Sequence, residues 1–145
     1  MKMNFKILND LATIPTKGSK EAAGYDLYAA TAEPIVIAPH TTVKIGTGIA
    51  AAIPEKTFGA IFARSGIATK RGLRPANAIG VIDSDYRGEL IVALHNDLDT
   101  PQTIEAKERI AQLIIIPYVH VELNQVENLD ETERNTGGFG STGTN

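Results

Sequence analysis

Asn77-Ala78-Ile79-Gly80-Val81-Ile82-Asp83-Ser84-Asp85-Tyr86-Arg87-Gly88-Glu89-Leu90-Ile91-Val92-Ala93-Leu94 places two short apolar runs, Ala78–Ile82 and Leu90–Leu94, on either side of a polar centre. Both runs are rich in Ile and Val and bounded by turn residues, as strands are. The pair reads as a β-hairpin with Asp83, Asp85, Tyr86 and Arg87 at or near its tip. One reading of that tip is structural, because Asp and Ser side chains hydrogen-bond their own backbone in turns. The other is functional: Asp83 is a candidate base, Tyr86 a ring able to pack on a ligand, and Asn77 stands just before the hairpin. Rigid strands would aim all three, and sites concentrate on loops held this way.

Outward from the hairpin, turn signals recur every ten residues or so and no sustained helical period is present. Phe5–Leu8, Ala22–Ala30, Pro34–Pro39, Thr42–Ile53, Phe58–Ala63, Thr103–Ala106 and Arg109–Pro117 all read as strands. Gly46 and Gly48 mark a bend or bulge in the fourth of these. The run from Arg109 to Pro117 is the most apolar and is expected at the centre of a sheet. Val119, Val121 and Leu123 alternate with His120, Glu122 and Asn124, predicting a last strand exposed on one face. The pattern is that of an all-β sandwich or barrel. Ser65–Gly72 is the one short helix expected, with Ser65 as N-cap and Gly72 as stop.

The 145 residues suit one domain with one core. No apolar run approaches the ~18 residues of a transmembrane helix, and the apolar part of Met1–Leu8 is too short for a signal peptide. Cysteine is absent, which removes disulfides, thiolate zinc sites and a Cys nucleophile and fits a cytoplasmic protein. The net charge of −3 lacks the basic footprint of a nucleic-acid binder. His40, His95 and His120 show no metal-ligand spacing.

Several polar residues stand out against this background. Asp26 is the one charge in the run Ala22–Ala30; it faces solvent or caps a neighbour, or it is a structural or metal-facing carboxylate. Arg64-Ser65-Gly66 is a capped helix start, or an anion site built from free N–H groups and a guanidinium. Gln112 lies inside the most apolar strand, so it bonds neighbouring backbone or faces a polar cavity. The core is expected over 1–127, with a linker and tail over 128–145. By composition the tail should be disordered. Arg134, Phe139, its glycines (Gly138 and Gly140 among them) and hydroxyls such as Ser141 nevertheless make it a candidate lid with phosphate-binding content.

Together these stretches resemble the trimeric dUTP diphosphatase (dUTPase) family. Five motifs of that family have counterparts in order: Ala22–Ala30, Ala63–Ala68, Gly80–Leu90, Arg109–Pro117 and Arg134–Gly143. Gly80–Gly88 and Gly137–Gly143 are the specific ones; Asn135 stands where the family often has Gly, and Ala63 where Pro is frequent. The resemblance implies a compact β-barrel or jelly-roll subunit, a homotrimer with sites at subunit interfaces, and Mg²⁺-assisted hydrolysis of dUTP to dUMP and diphosphate. It implies that Asp83 activates the attacking water and Tyr86 packs under the deoxyribose. Asn77 with the backbone of Gly80, Val81 and Ile82 would read uracil. Arg64, Ser65, Gly66 and Gln112 would contact phosphates, and Asp26 would hold magnesium through its water shell. Arg134 would reach the γ-phosphate, Phe139 would cover the base, and Gly138, Gly140 and Ser141 would line the phosphate chain. A dCTP deaminase shares the fold class but has a Pro-Gly-Trp-like segment where this chain has Ser84-Asp85-Tyr86. A non-catalytic nucleotide-binding module would lack Asp83, Arg64 or the Gly-rich tail.

Overall fold

The computed structural model describes residues 2–138. Ten strands and one short helix make up its regular structure: β1 (Asn4–Ile7), β2 (Tyr25–Tyr28), β3 (Ile35–Ile37), β4 (Thr42–Ala52), β5 (Thr57–Phe62), α1 (Ser65–Arg71), β6 (Leu73–Pro75), β7 (Gly80–Ile82), β8 (Glu89–Asn96), β9 (Gln102–Ile104) and β10 (Arg109–Pro117). One four-stranded sheet has the order β1-β4-β8-β6, a second has β2-β10-β5-β7, and β3 pairs with β9. All of the pairings are antiparallel.

Period-2 alternation decides which residues face inward. On β8, Leu90, Val92, Leu94 and Asn96 are buried while Ile91 is exposed. Leu90, Val92 and Leu94 meet Ile45 and Ile49 of β4 and Leu27, Ile61 and Leu113 from the other sheet in one core. Each such apolar side chain contributes about 1.5–3 kcal/mol by leaving water. The bulge expected in β4 lies between Gly46 and Ala50. Gly48 has φ 65°, and its N–H donates to Glu89 Oε1 at 2.7 Å. The expected central strand, β10, is flanked by β2 and β5.

Three expectations need correction. Gly80–Ile82 and Glu89–Asn96 follow one another in the chain but are not hydrogen-bonded partners. β7 pairs with β5, while β8 is taken by β4 along one edge and by β6 along part of the other. The turn between them therefore joins two sheets and is not a hairpin tip. Second, the N-cap of α1 is Arg64, in extended conformation and without a side-chain cap bond; Gly72 does close the helix in the left-handed region. Third, residues 119–124 form no strand. Val119, Val121 and Leu123 are exposed, and none of the strand pairings among the described residues involves them. β6 was not foreseen; three residues including a proline give too weak a pattern.

Candidate active site

The polar residues singled out from the sequence gather at two places. The first is a cleft of about 190 Å³ bordered by Gly24, Asp26, Arg64, Ser65 and Gln112. Asp26 lies on β2 and Gln112 is its register partner on β10. Arg64 follows directly from β5 and opens α1. Its Nε donates to Asp26 Oδ1 at 2.8 Å, and Arg109 Nη1 approaches Oδ2 at 3.4 Å. Asp26 is thus a buried carboxylate held between two guanidinium groups, one tightly and one loosely. Of the readings left open for Asp26, solvent exposure is removed.

Gln112 satisfies both of its alternatives. Its Nε2 donates to the carbonyl of Ala63 at 2.9 Å, and the same side chain borders the cleft. Gly24 keeps room for it: a Cβ there would lie 2.7 Å from Gln112 Oε1. Ser65 and Gly66 are exposed at the helix start, where the first backbone N–H groups lack intrahelical acceptors. No acidic residue stands in that first turn. Two arginines facing one carboxylate, beside free N–H groups, make the cleft attractive to anions. Arg109 and Gly24 were not picked out from sequence. The signal for Arg109 was its position three residues before Gln112, at the entry to β10.

The second place is the groove between β7 and β8. Because these strands do not pair, the outer edge of β7 is open among the described residues. A cavity of about 110 Å³ lies there, bordered by Asn77, Gly80, Val81, Ile82 and the Ile91–Ala93 stretch. It continues through Val81, Ile82 and Ile91 into a space of about 170 Å³ that Asp83 and Tyr86 also border. The edge N–H and C=O groups of a three-residue strand are thereby presented to a ligand. Ala78 at φ 61° turns the chain into β7.

The turn after β7 is closed by Tyr86 N–H donating to the carbonyl of Asp83 at 3.2 Å. Arg87 Nη1 donates to the carbonyls of Ser84 and Tyr86 at 2.7 and 2.9 Å. Tyr86 Oη donates to the carbonyl of Glu89 at 3.1 Å. The Asp83 side chain is exposed, free to accept from water.

Within one chain the two places do not meet. Asp26, Gln112 and Phe62 share a register row across β2, β10 and β5, whereas Ile82 pairs with Gly59. Three strand spacings across and three residues along put Asp26 and Ile82 about 17 Å apart. Arg134 lies away from both in the contacts it makes: its Nε donates to the carbonyl of Gly137 at 2.8 Å, inside its own turn. Asn135 in that turn takes φ 43°, the conformation the commoner Gly would adopt freely. Gly138 has open space where a Cβ would be. Phe139, Gly140 and Ser141 lie outside the described residues.

The sequence profile of the dUTPase family matches residues 10–143. The chain belongs to the dUTPase family. It is 47% identical over 143 residues to the deoxyuridine 5'-triphosphate nucleotidohydrolase of Nautilia profundicola, covering 99% of each chain. Identity to the corresponding protein of Picosynechococcus sp. is 43%, over 99% of this chain and all of that one. The structure of Staphylococcus bacteriophage 80alpha dUTPase with dUpNHpp superposes with a TM-score of 0.89 at 33% identity, covering 99% of both chains. A variant of the phage phi11 dUTPase, described with a structural Mg(II) ion, superposes with a TM-score of 0.81 at 27% identity over 88% of this chain and 98% of that one. The all-β dUTPase fold expected from the motifs is therefore present, with the single helix of the described residues at Ser65–Arg71.

No group of three or more His, Asp or Glu in this dUTPase chain is gathered to hold a metal among the described residues. Asp26 stands as one carboxylate beside an anion-attracting cleft, with one oxygen only loosely engaged. That donor set suits an ion of the magnesium type, which keeps several waters and binds through one or two carboxylates plus substrate phosphates. No helix among the described residues is long and apolar enough to cross a membrane.

Proposed function

We propose that this chain hydrolyses dUTP to dUMP and diphosphate as a cytoplasmic homotrimer, limiting uracil in DNA and supplying dUMP for dTTP synthesis. The observation that carries the reading is the edge of β7, unpaired among the described residues and ending directly at Asp83. A pyrimidine edge reads as a short strand: alternating donors and acceptors that Gly80, Val81 and Ile82 can match with backbone, with Asn77 adding an amide. The narrow cavity then limits what fits at C5. Tyr86 packs beneath the sugar and leaves no space for a 2′-hydroxyl. Asp83 sits one residue beyond the base-reading strand, where it orients water toward the α-phosphorus as general base.

Arg64, the N–H groups of Ser65 and Gly66, and Gln112 hold the phosphate chain. Asp26 would hold Mg²⁺ through its water shell, and the ion when bound supplies charge neutralisation on the phosphate oxygens. Phosphoryl transfer asks mainly for positioning and electrostatics, which these groups provide. Arg134 reaches the γ-phosphate, while Gly138, Phe139, Gly140 and Ser141 close over the nucleotide as a lid, the 128–145 segment acting apart from the 1–127 core. The ~17 Å between the two places supports sites assembled from different subunits. A nucleotide with its α-phosphorus at Asp83 cannot lay the rest of its phosphate chain on Arg64 of the same chain.

The test is product analysis after incubation with Mg²⁺ and dUTP, dCTP, dTTP or UTP, each alone. dUMP and diphosphate from dUTP only is the expected result. dUTP formed from dCTP would move the chain to deamination, and four unchanged nucleotides would remove the enzyme reading.

A further inference from the structure

Gly88 closes the polar turn that begins at Asp83, and its backbone gives no reason for glycine. Among the described residues the glycines with positive φ are Gly48 and Gly72, so Gly88 occupies a conformation open to any residue. The reason is space. A Cβ at position 88 would lie 2.3 Å from Tyr86 Oη, 2.5 Å from Cζ and 2.9 Å from Cε2. The ring of Tyr86 therefore lies close against the Cα of Gly88. It is tethered there by the hydrogen bond from Oη to the carbonyl of Glu89.

We propose that Gly88 is a positioning residue for sugar discrimination: its missing side chain is the seat that holds the Tyr86 ring at the floor of the groove. This rests on the hydrolase reading, in which that ring underlies the deoxyribose. The three nearest atoms a new Cβ would meet all belong to Tyr86. They form the far end of a side chain that is 42% exposed and has solvent to swing into. A methyl at 88 thus moves the ring and leaves the turn, whose Asp83–Tyr86 and Arg87–Ser84 bonds involve neither group. The displaced ring gives up its Glu89 tether and no longer fills the space where a 2′-hydroxyl would sit.

The experiment measures kcat/KM for dUTP and UTP with the full-length trimer, for the parent, Gly88→Ala, Tyr86→Ala and the double variant. For Gly88→Ala, a misplacement of this kind lowers dUTP kcat/KM by roughly 10- to 100-fold and reduces the dUTP-to-UTP preference with it. The thermal midpoint should stay within about 2 °C of the parent's, as for other surface changes. In the Tyr86→Ala background, adding Gly88→Ala should change either rate less than about twofold, because the residue acts through a ring no longer present. Additive losses would overturn the proposal, as would an unchanged preference in Gly88→Ala. If Gly88→Ala fails to fold, the double variant should fold, the colliding ring being gone; failure of both overturns the proposal. A parent that does not turn over dUTP removes the hydrolase reading and this inference together. A parent that discriminates, with a Gly88→Ala variant that discriminates equally, removes this inference alone.

Discussion

Arg64 Nε donates to Asp26 Oδ1 at 2.8 Å, tying the start of the only helix among the described residues to the edge strand of the second sheet. The carboxylate is far more enclosed than the guanidinium, with side-chain exposures of 11% and 29%. The two ends of this bond therefore differ in what their removal leaves behind.

Asp26→Ala strands two arginines facing each other, Arg64 and Arg109. The loss should be about 1–3 kcal/mol, read as a lowered urea midpoint with an unchanged m-value. Arg64→Ala leaves Asp26 with Arg109 and solvent, so it should cost less stability while lowering kcat/KM for dUTP more sharply. The opposite ranking in stability would mean that the pair is not the anchor of the helix start.

Asp83→Asn should leave stability unchanged, because the Asp83 side chain is exposed and makes no hydrogen bond within the chain among the described residues. Turnover should drop by about 10²- to 10⁴-fold, the usual contribution of a positioned general base. Equilibrium binding of a non-hydrolysable dUTP analogue should persist. Near-parental turnover would take Asp83 out of the chemistry.

Asn96 carries the opposite kind of role. It is fully buried at the end of β8. Its Nδ2 donates to the carbonyls of Ile37, Ala38 and Thr100, and its Oδ1 accepts from the N–H of Leu98. Asn96→Ala removes all four of these bonds, the buried one to the carbonyl of Ile37 among them, and one orphaned buried group costs about 1–3 kcal/mol. The midpoint of thermal unfolding should fall clearly, while kcat at 25 °C stays close to the parent's. A large loss of kcat without loss of stability would place Asn96 in the site instead.

The strands were legible because short runs rich in Ile and Val, bounded by turn residues, mark them; of β4, β8 and β10 it is β8 that buries every second residue. Alternation does not name a partner. Gly80–Ile82 and Leu90–Leu94 look like a hairpin by adjacency, yet β8 is claimed by β4 and β6, and that separation opens the groove. For the same reason Val119, Val121 and Leu123 alternate without forming a strand. Most residues bordering the two candidate places were singled out through the motifs, but Arg109, Gly24 and Gly88 were not. Arg109 reads as an ordinary strand end, and the two glycines matter only through side chains that fold back over them. Asn96 was not legible either, since nothing local in the sequence reveals that its amide is enclosed by three segments.

The separation of Asp26 from Ile82 within one chain has a consequence for mixed assemblies. Asp83→Asn and Arg64→Ala should each be inactive as homotrimers. If Asp83 of one subunit works with Arg64 of another, trimers refolded from an equal mixture contain sites with both intact residues. Random assembly gives about a quarter of the sites this composition, because the Asp83 donor must be an Arg64→Ala chain and the Arg64 donor an Asp83→Asn chain. Activity recovered to roughly that fraction of the parent's is the expected result of co-refolding and assay. If both residues came from the same subunit, every chain in the mixture would lack one of them and no activity would return.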